Sequence, residues 1–189
     1  MSVDMFITLD GLKGESTDDK HAGWIEVLHY SHHMSQPVST TKSSAGGAST
    51  GRTQHGDFMV HKYVDLASPK LYEAVSNGKH FSKVTFEMCR AGGSQTPFMT
   101  ITMEQVLVSN VQQLGPQGNG ATKGFEYGAV APPQGSQSSQ VSTADTLPVE
   151  LIHLNYGTIE WKYTQQKRTD GSGGGNASSK VDLTKGKTG

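Results

Sequence analysis

The side chains best suited to metal binding or acid–base chemistry are eight histidines, three of which lie close together as His29, His32 and His33. The residues around them alternate between apolar and polar, as in a β-strand, so His32 and His33 are expected on opposite faces. His29 and His33 would lie about 13 Å apart at roughly 3.3 Å per residue. Zinc ligands lie about 2 Å from the ion, so no two of these three can share one unless the segment is helical. We therefore predict no metal site among them and interpret them as polar strand residues.

The other candidates for catalysis do not form a recognisable constellation. Cys89 is the single cysteine and lies within an alternating strand, where nothing nearby would lower the pKa of its thiol, so a buried and unreactive thiol is expected. Gly186-Lys187-Thr188 matches the end of a phosphate-binding loop, but Val181 stands where that motif needs glycine. The acidic residues show no spacing from which a catalytic pair can be argued. We predict that the protein is not an enzyme and has no catalytic residue, no cofactor and no metal.

Composition and charge restrict the class of protein further. The chain has 189 residues, of which 33% are hydrophobic and 23 are glycine, as expected of a loop-rich β protein. Sixteen basic residues nearly balance 17 acidic ones, so no nucleic-acid partner is predicted. No apolar run approaches the roughly 20 residues that span a bilayer, and no stable membrane insertion is expected. The first residues lack the basic and apolar regions of a secretory signal, which predicts synthesis in the cytoplasm.

One convincing helix is predicted, over about residues 68–77. Ser68 is the expected N-cap, Pro69 suits the first helical position, and Gly78 stands where a left-handed C-terminal stop belongs. The stripe expected to dock this helix comprises Leu71, Tyr72, Ala74 and Val75. A helix of about two to three turns is too short to be stable alone, so it must pack on a larger β structure.

The rest of the chain predicts strands and loops. Apolar alternation indicates strands near residues 3–12, 24–34, 81–90, 98–110 and 149–163. The fold class predicted is mainly β, an antiparallel two-sheet sandwich or barrel with one short helix. We assign residues 1–164 to this domain and residues 165–189 to a Gly/Ser/Lys-rich tail that is either flexible or an extension. The polar segment 117–143 has no assigned role.

The long polar segment 39–56 is the most unusual part of the sequence, because it consists almost entirely of Ser, Thr, Gly, Ala and Gln. A structureless loop of this length within a domain is normally functional or disordered. Two interpretations stay open: plain disorder, or an arm that becomes ordered on a neighbouring subunit.

Several short motifs, in order, resemble one family over about residues 1–163. They are Val3-Asp4-Met5-Phe6-Ile7, Gly14-Glu15-Ser16 followed by His21, Met34-Ser35-Gln36, Lys62-Tyr63-Val64-Asp65, Ser68-Pro69-Lys70-Leu71, Gly78-Lys79-His80 and Glu104-Gln105-Val106-Leu107-Val108-Ser109. Together they resemble the Hcp family, the haemolysin-coregulated tube proteins of the bacterial type VI secretion system. The segment 117–143 is longer and richer in Gly and Gln than this pattern predicts.

The resemblance implies a two-sheet β-barrel with one helix and a ring of six subunits. Rings stack into a tube that a contractile sheath expels behind a spike, with small effectors carried in the lumen, and the protein leaves the cell without a cleaved signal. The long loop is implied to contact the adjacent ring. Its candidate contact residues are Thr40, Lys42, Ser44, Gly46, Gly47, Ser49, Arg52 and Gln54. The candidate lumen residues are Ser31 and His33.

Two other functions stay open from the sequence. Trp24, Tyr30 and Trp161 could line the mouth of a monomeric barrel that binds a small ligand, although core packing explains the same residues. A phage tail-tube subunit would share the mechanics of the secretion tube.

Overall fold

A computed structural model describes residues 3–37, 52–90, 96–114, 147–166, 173–185 and 187–188. These residues form one α-helix and twelve strands. In chain order they are β1 (Val3–Leu9), β2 (Ile25–Glu26), β3 (His29–Ser31), β4 (Met34–Ser35), β5 (Gln54–His55), β6 (Phe58–Tyr63), α1 (Ser68–Asn77), β7 (His80–Arg90), β8 (Pro97–Leu114), β9 (Val149–Asn155), β10 (Thr158–Gln166), β11 (Gly173–Asp182) and β12 (Lys187–Thr188). Every strand pairing among them is antiparallel. The predicted fold class, mainly β with antiparallel sheets and one short helix, is confirmed.

Strand β8 bends halfway along its length and joins two parts of one continuous ten-stranded sheet. We call these parts the first sheet (β1, β2, β7, β8, β10, β11 and β12) and the second sheet (β3, β6 and β9). Its first half pairs with β7 and β10, and its second half pairs with β9. The bend is at Gln105, whose φ of 55° is unusual for a non-glycine residue. Gly157 lies directly against it, and a Cβ at Gly157 would come within 2.5 Å of the Gln105 side-chain oxygen. A larger residue at 157 would force the Gln105 side chain to move and would crowd its Cβ at 3.2 Å.

The segment 24–34, predicted as one strand, is instead divided into β2, β3 and β4. It is divided because the chain changes partners: β2 pairs with β1, whereas β3 pairs with β6. At the crossing point the Val27 amide donates to the Met5 carbonyl, and the next amide, of Leu28, donates to the His61 carbonyl. Pairing then continues from β6 through β9, β8 and β7 back to β1, so the two sheets enclose one core.

The core follows the alternation of the strands. Along β6, Phe58 and Val60 are buried and face the interior, while Met59 and His61 lie on the opposite face and are partly exposed. Aromatic rings fill the centre, where Tyr30 stacks on Phe58 with 5.6 Å between ring centroids. No helix in the described part of the chain is long and apolar enough to cross a membrane.

The prediction that Ser68 caps helix α1 is wrong. The helix begins at Ser68, the residue before it is Ala67 with helical backbone angles, and no side chain caps the first turn. The Ser68 hydroxyl instead donates to Glu150 Oε1 at 2.7 Å and accepts from the Asp65 amide. The amides at this end do not need the hydroxyl, because Ser68 and Lys70 donate to backbone carbonyls and Pro69 has no N–H, whereas the buried Glu150 carboxylate needs donors.

The docking stripe also differs from the predicted one. Leu71 and Ala74 are fully buried, Tyr72 is partly buried, and Val75 is 37% exposed. The face that contacts the sheet therefore follows an i, i+3 spacing through residues 68, 71 and 74, which leaves Val75 rotated toward solvent. Pro69 lies in the first turn, and Gly78 ends the helix with a φ of 65°.

The tail predicted to be flexible or an extension contributes strand β11, which pairs with β10 from Thr158 to Gln166. Val181 and Leu183 pack against the core, and the Leu183 amide donates to the Gly157 carbonyl at 2.9 Å. The residues before them are rich in Gly, Ala and Ser, so composition alone gave no strand pattern. The division of the chain at residue 164 stays a prediction.

Candidate functional site

The predicted stacking loop starts and ends at a short ladder between β4 and β5. Met34 pairs with His55 and Ser35 pairs with Gln54, so Gln54 lies in the ladder itself. Arg52 donates from Nη2 to the Leu183 carbonyl at 3.1 Å, which links the loop base to the C-terminal segment. The other six candidate contact residues, from Thr40 to Ser49, lie outside the described residues.

A single tyrosine hydroxyl joins the two sides of this loop base. Tyr156 Oη lies 2.6 Å from His32 Nε2 and 3.0 Å from His55 Nδ1, and the tyrosine is 5% exposed. His32 precedes β4 and His55 lies in β5, so each chain segment entering the loop is held by one histidine. Trp161 packs beside both, with its ring about 6 Å from each imidazole. We name His32, His55 and Tyr156 the loop anchor.

The hydrogen bonds of the loop anchor require at least one of the two histidines to be neutral. A tyrosine hydroxyl has one proton, so it can donate to one imidazole nitrogen while it accepts from the N–H of the other. Burial, with the charge of His55 second, lowers the pKa of His32, and burial also lowers the pKa of His55. The pKa of Tyr156 is raised by burial and by the nearby carboxylate of Asp57. All three groups are therefore uncharged at neutral pH.

A second histidine site has the opposite character. His21 is 1% exposed, with Nδ1 2.6 Å from Asp18 Oδ1 and Nε2 2.9 Å from Glu87 Oε2. Ionised carboxylates only accept hydrogen bonds, so a carboxylate at each ring nitrogen suits an imidazole that donates from both nitrogens. The hydrogen bond from His21 lowers the pKa of Asp18. Phe6 stacks on the ring at 4.2 Å, a favourable position for a cation over an aromatic face.

Sequence analysis missed a buried ion pair beneath the helix. Lys62 and Glu150 are both fully buried, with Lys62 Nζ 2.8 Å from Glu150 Oε1 and 2.7 Å from Asp65 Oδ1. Tyr72 donates to the other Glu150 oxygen at 2.6 Å, and burial together with that carboxylate raises the Tyr72 pKa to about 12. The order Lys62, Asp65, Ser68 at intervals of three was the available signal, but nothing local pointed to residue 150.

These clusters have structural rather than catalytic geometry. Burial raises the pKa of Cys89 to about 11, so this thiol is a poor nucleophile at neutral pH. Its Sγ lies 4.0 Å from His21 Nε2, a nitrogen that is already committed to Glu87. In the described ranges no group of three or more His, Cys, Asp or Glu side chains could hold a metal ion.

The predicted lumen and ligand residues lie in separate places. Ser31 is exposed in β3 opposite Met59, while His33 is exposed in the link between β3 and β4. Trp24 packs on the edge of His21, whereas Tyr30 stacks among core phenylalanines. The structure therefore places these two aromatics in different clusters, where their contacts are those of packing.

Comparison with known proteins gives consistent matches. A family model described as "Type VI secretion system effector, Hcp" matches residues 6–163. Protein hcp1 of Pseudomonas aeruginosa is 41% identical over 119 residues, which cover 62% of this chain and 72% of that protein. A solved structure titled "Structure of a type six secretion system protein" superposes with a TM-score of 0.78 and 29% identity, covering all of both chains. Hcp1 from Salmonella typhimurium shares the fold, with a TM-score of 0.66 at 23% identity, covering 100% of this chain and 99% of that one.

The family match spans most of the domain, including both histidine sites and the buried ion pair, and the relative from Pseudomonas aeruginosa exceeds 40% identity. The motifs recognised in the sequence, the antiparallel two-sheet fold and these matches agree. This chain therefore belongs to the Hcp family of type VI secretion proteins.

Proposed function

We propose that this protein is a structural subunit of the type VI secretion inner tube, in which six copies close into a ring and rings stack end to end. A contractile sheath would expel this tube behind a spike, with small effectors in its lumen. The single observation that carries the proposal is the family match over residues 6–163. The absence of an assembled catalytic group among the described side chains is compatible with a mechanical role.

A closed ring of identical subunits needs two different surfaces on each copy. One candidate surface is a groove beside β1 and β2, whose lining combines the apolar Val3 and Leu28 with the acidic Asp4, Asp18 and Glu26. Val3 and Leu28 are 41% and 43% exposed, and exposed apolar side chains that lie together are typical of contact surfaces. We assign this groove to the neighbouring subunit of the same ring.

The loop anchor supports a role for the loop in stacking. A loop that must meet a partner on another ring gains from a fixed base, because less conformational entropy is then lost on contact. The β4–β5 ladder, the Tyr156 hydroxyl and the Arg52 contact fix that base. We therefore retain the loop residues named from the sequence as the ring-stacking contacts.

The first experiment measures native mass and negative-stain images of the full chain at high concentration. Rings of six with an open centre are expected, and a monomer at all concentrations would contradict the proposal. Leu28→Glu is expected to shift the protein toward monomers without unfolding it, because residue 28 is on the surface. Lys70→Glu, at an exposed helix position, is the matched control and is expected to leave rings intact.

A second experiment tests the loop separately from the ring. Deletion of residues 45–50 is expected to leave rings of six and to reduce their stacking into tubes. Replacement of the same residues by glycine and serine at constant length separates loss of contacts from loss of reach. Tubes that form as readily from the deletion variant as from the unaltered chain would contradict the loop assignment.

Cargo and localisation are tested in cells. The protein is expected in the cytoplasm before secretion and outside the cell afterwards, with its N-terminus uncleaved by mass spectrometry. Ser31→Glu and His33→Glu are expected to reduce recovery of effectors with the tube if these residues face the lumen. Unchanged effector recovery with intact tubes would remove both residues from the lumen assignment.

A further inference from the structure

Two histidines from distant parts of the sequence are neighbours on the outer face of the second sheet. His29 of β3 and His61 of β6 are directly opposite in the antiparallel register. Their rings have centroids 5.8 Å apart at 63° to each other. His29 is exposed and His61 is half-buried, while residues 60 and 62 beside His61 are buried on the other face. Both imidazoles therefore project from the sheet on the same side.

This spacing is close to the spacing of two imidazoles on one metal ion. With metal–nitrogen bonds of about 2.0 Å, each ring centroid lies about 3 Å from the ion. Two rings bound at about 90–110° would then be roughly 4.5–5.5 Å apart. The observed separation exceeds this by a few tenths of an ångström, which rotation of the exposed His29 side chain can close.

We propose that His29 and His61 form a two-histidine binding site for a divalent transition metal, with solvent in the remaining positions. Imidazole ligands suit Cu²⁺, Ni²⁺ and Zn²⁺, and the general order of affinities favours Cu²⁺. Spacing along one strand prevents residues 29, 32 and 33 from sharing a metal ion. His29 and His61 lie opposite each other on two strands, so this restriction does not apply to them. Both ligands come from one chain, so the site does not depend on tube assembly.

The surroundings define how far the site extends. His153 of β9 is opposite Met59, two residues from His61 in the ladder. Its Nδ1 faces Asp57 Oδ2 at 4.0 Å and its Nε2 is buried without a hydrogen-bond partner. Because no described group of three such residues could hold a metal, we assign His153 to the surroundings of the site rather than to its ligands. Two protein ligands and open coordination positions predict moderate, reversible binding.

The proposal is tested by titrating the full, untagged chain with Cu²⁺ and, separately, with Ni²⁺ by calorimetry. One equivalent per chain is expected, with electron paramagnetic resonance of the Cu²⁺ form showing two nitrogen ligands. His29→Gln and His61→Gln are each expected to weaken binding at least tenfold and to remove one of those nitrogens. Residue 29 is exposed, so His29→Gln is expected to unfold at the same temperature as the unaltered chain without metal.

Two other histidines provide the controls. His33→Gln changes an exposed histidine four residues away, and His55→Gln changes the loop anchor, which is the other close histidine pair. Both variants are expected to bind as the unaltered chain does. Loss of binding in His55→Gln with retention in His29→Gln would move the site to the loop anchor and overturn the proposal. Equal affinity in all four variants, or no saturable binding, would overturn it as well.

Discussion

His21 and the loop anchor show how the same side chain meets opposite requirements in one fold. At His21, a carboxylate lies against each ring nitrogen, an arrangement that favours two N–H donors on the ring. At the loop anchor, one phenol serves two imidazoles, so at least one of them must offer an unprotonated nitrogen, and burial favours the neutral form of both. Tyr156 and His21 are both buried, so burial alone does not explain why the two sites differ. The partners determine the charge.

The two sites are also expected to fail at different pH values. Burial lowers the pKa of His32 and His55 below the usual 6.5, so their contribution to stability is complete above that value and is lost as pH falls toward the folded-state pKa. The pKa of Asp18 is lowered from 3.8, so its contribution persists to more acidic pH and is lost only as pH falls through its folded-state value. Mild acid therefore acts on the loop anchor first.

The largest expected effect is at His21. His21→Leu removes two hydrogen bonds to carboxylates, each worth about 1.5–3 kcal/mol, so we expect a loss of about 3–5 kcal/mol in the free energy of unfolding. Urea denaturation at pH 7 measures it. His33→Leu, at an exposed histidine, is the control and is expected to change stability by less than about 0.5 kcal/mol. A loss below about 0.5 kcal/mol for His21→Leu would contradict a stabilising role for the two hydrogen bonds of His21.

Tyr156→Phe is expected to have the next largest effect. It keeps the ring packing but leaves two half-buried imidazoles without their shared partner, for a loss of about 1–3 kcal/mol. Thermal unfolding gives the total loss, and hydrogen exchange at the β4–β5 ladder shows whether the loop base opens locally. Unchanged hydrogen exchange in the β4–β5 ladder would show that the Tyr156 hydroxyl does not hold the loop base in place.

The pH dependence is expected to be smaller and to discriminate between the sites. Between pH 7.5 and 5.5 the unaltered chain is expected to lose stability with a slope of no more than about 1.4 kcal/mol per pH unit for each histidine. The double variant His32→Gln and His55→Gln is expected to flatten that slope, since glutamine does not titrate. The slope is measured from urea midpoints across this pH range. An equal slope in the double variant would show that groups other than His32 and His55 cause the pH dependence.

The smallest effect is expected at a charged pair that is not buried. Lys180 and Glu104 form a 3.2 Å contact with both side chains nearly half exposed. Lys180→Ala is expected to cost less than about 0.5 kcal/mol because water screens the pair. A cost comparable to that of His21→Leu would show that charge neutralisation rather than burial dominates.

Local signals in the sequence predicted where the helix and strands lie better than they predicted which strands pair with each other. Gly78 and Pro69 marked the helix, and the alternation over residues 81–90 matches β7 because both depend on neighbouring residues only. The partition of residues 24–34 into three strands was missed because it depends on a change of partner from β1 to β6. A local pattern does not encode such a change.

The polar sites were missed for the same reason. No local pattern predicted the burial of Lys62, because its fully buried partner Glu150 lies 88 positions away in the sequence. His29 was tested against its neighbours in sequence, whereas its partner lies in another strand. Ser68 satisfied every local rule for an N-cap, yet the demand of buried Glu150 for donors outweighed them.

The pairing of Leu114 with Val149 has a consequence for engineering this protein. The chain leaves β8 and returns to β9 at adjacent positions, so the ladder closes the intervening sequence whatever its length. Lengthening such a connection costs stability only slowly, by roughly 0.6 kcal/mol per doubling. A peptide or small domain grafted between these two residues would therefore leave β8 and β9 in register, which makes this junction suitable for displaying foreign sequences on the protein.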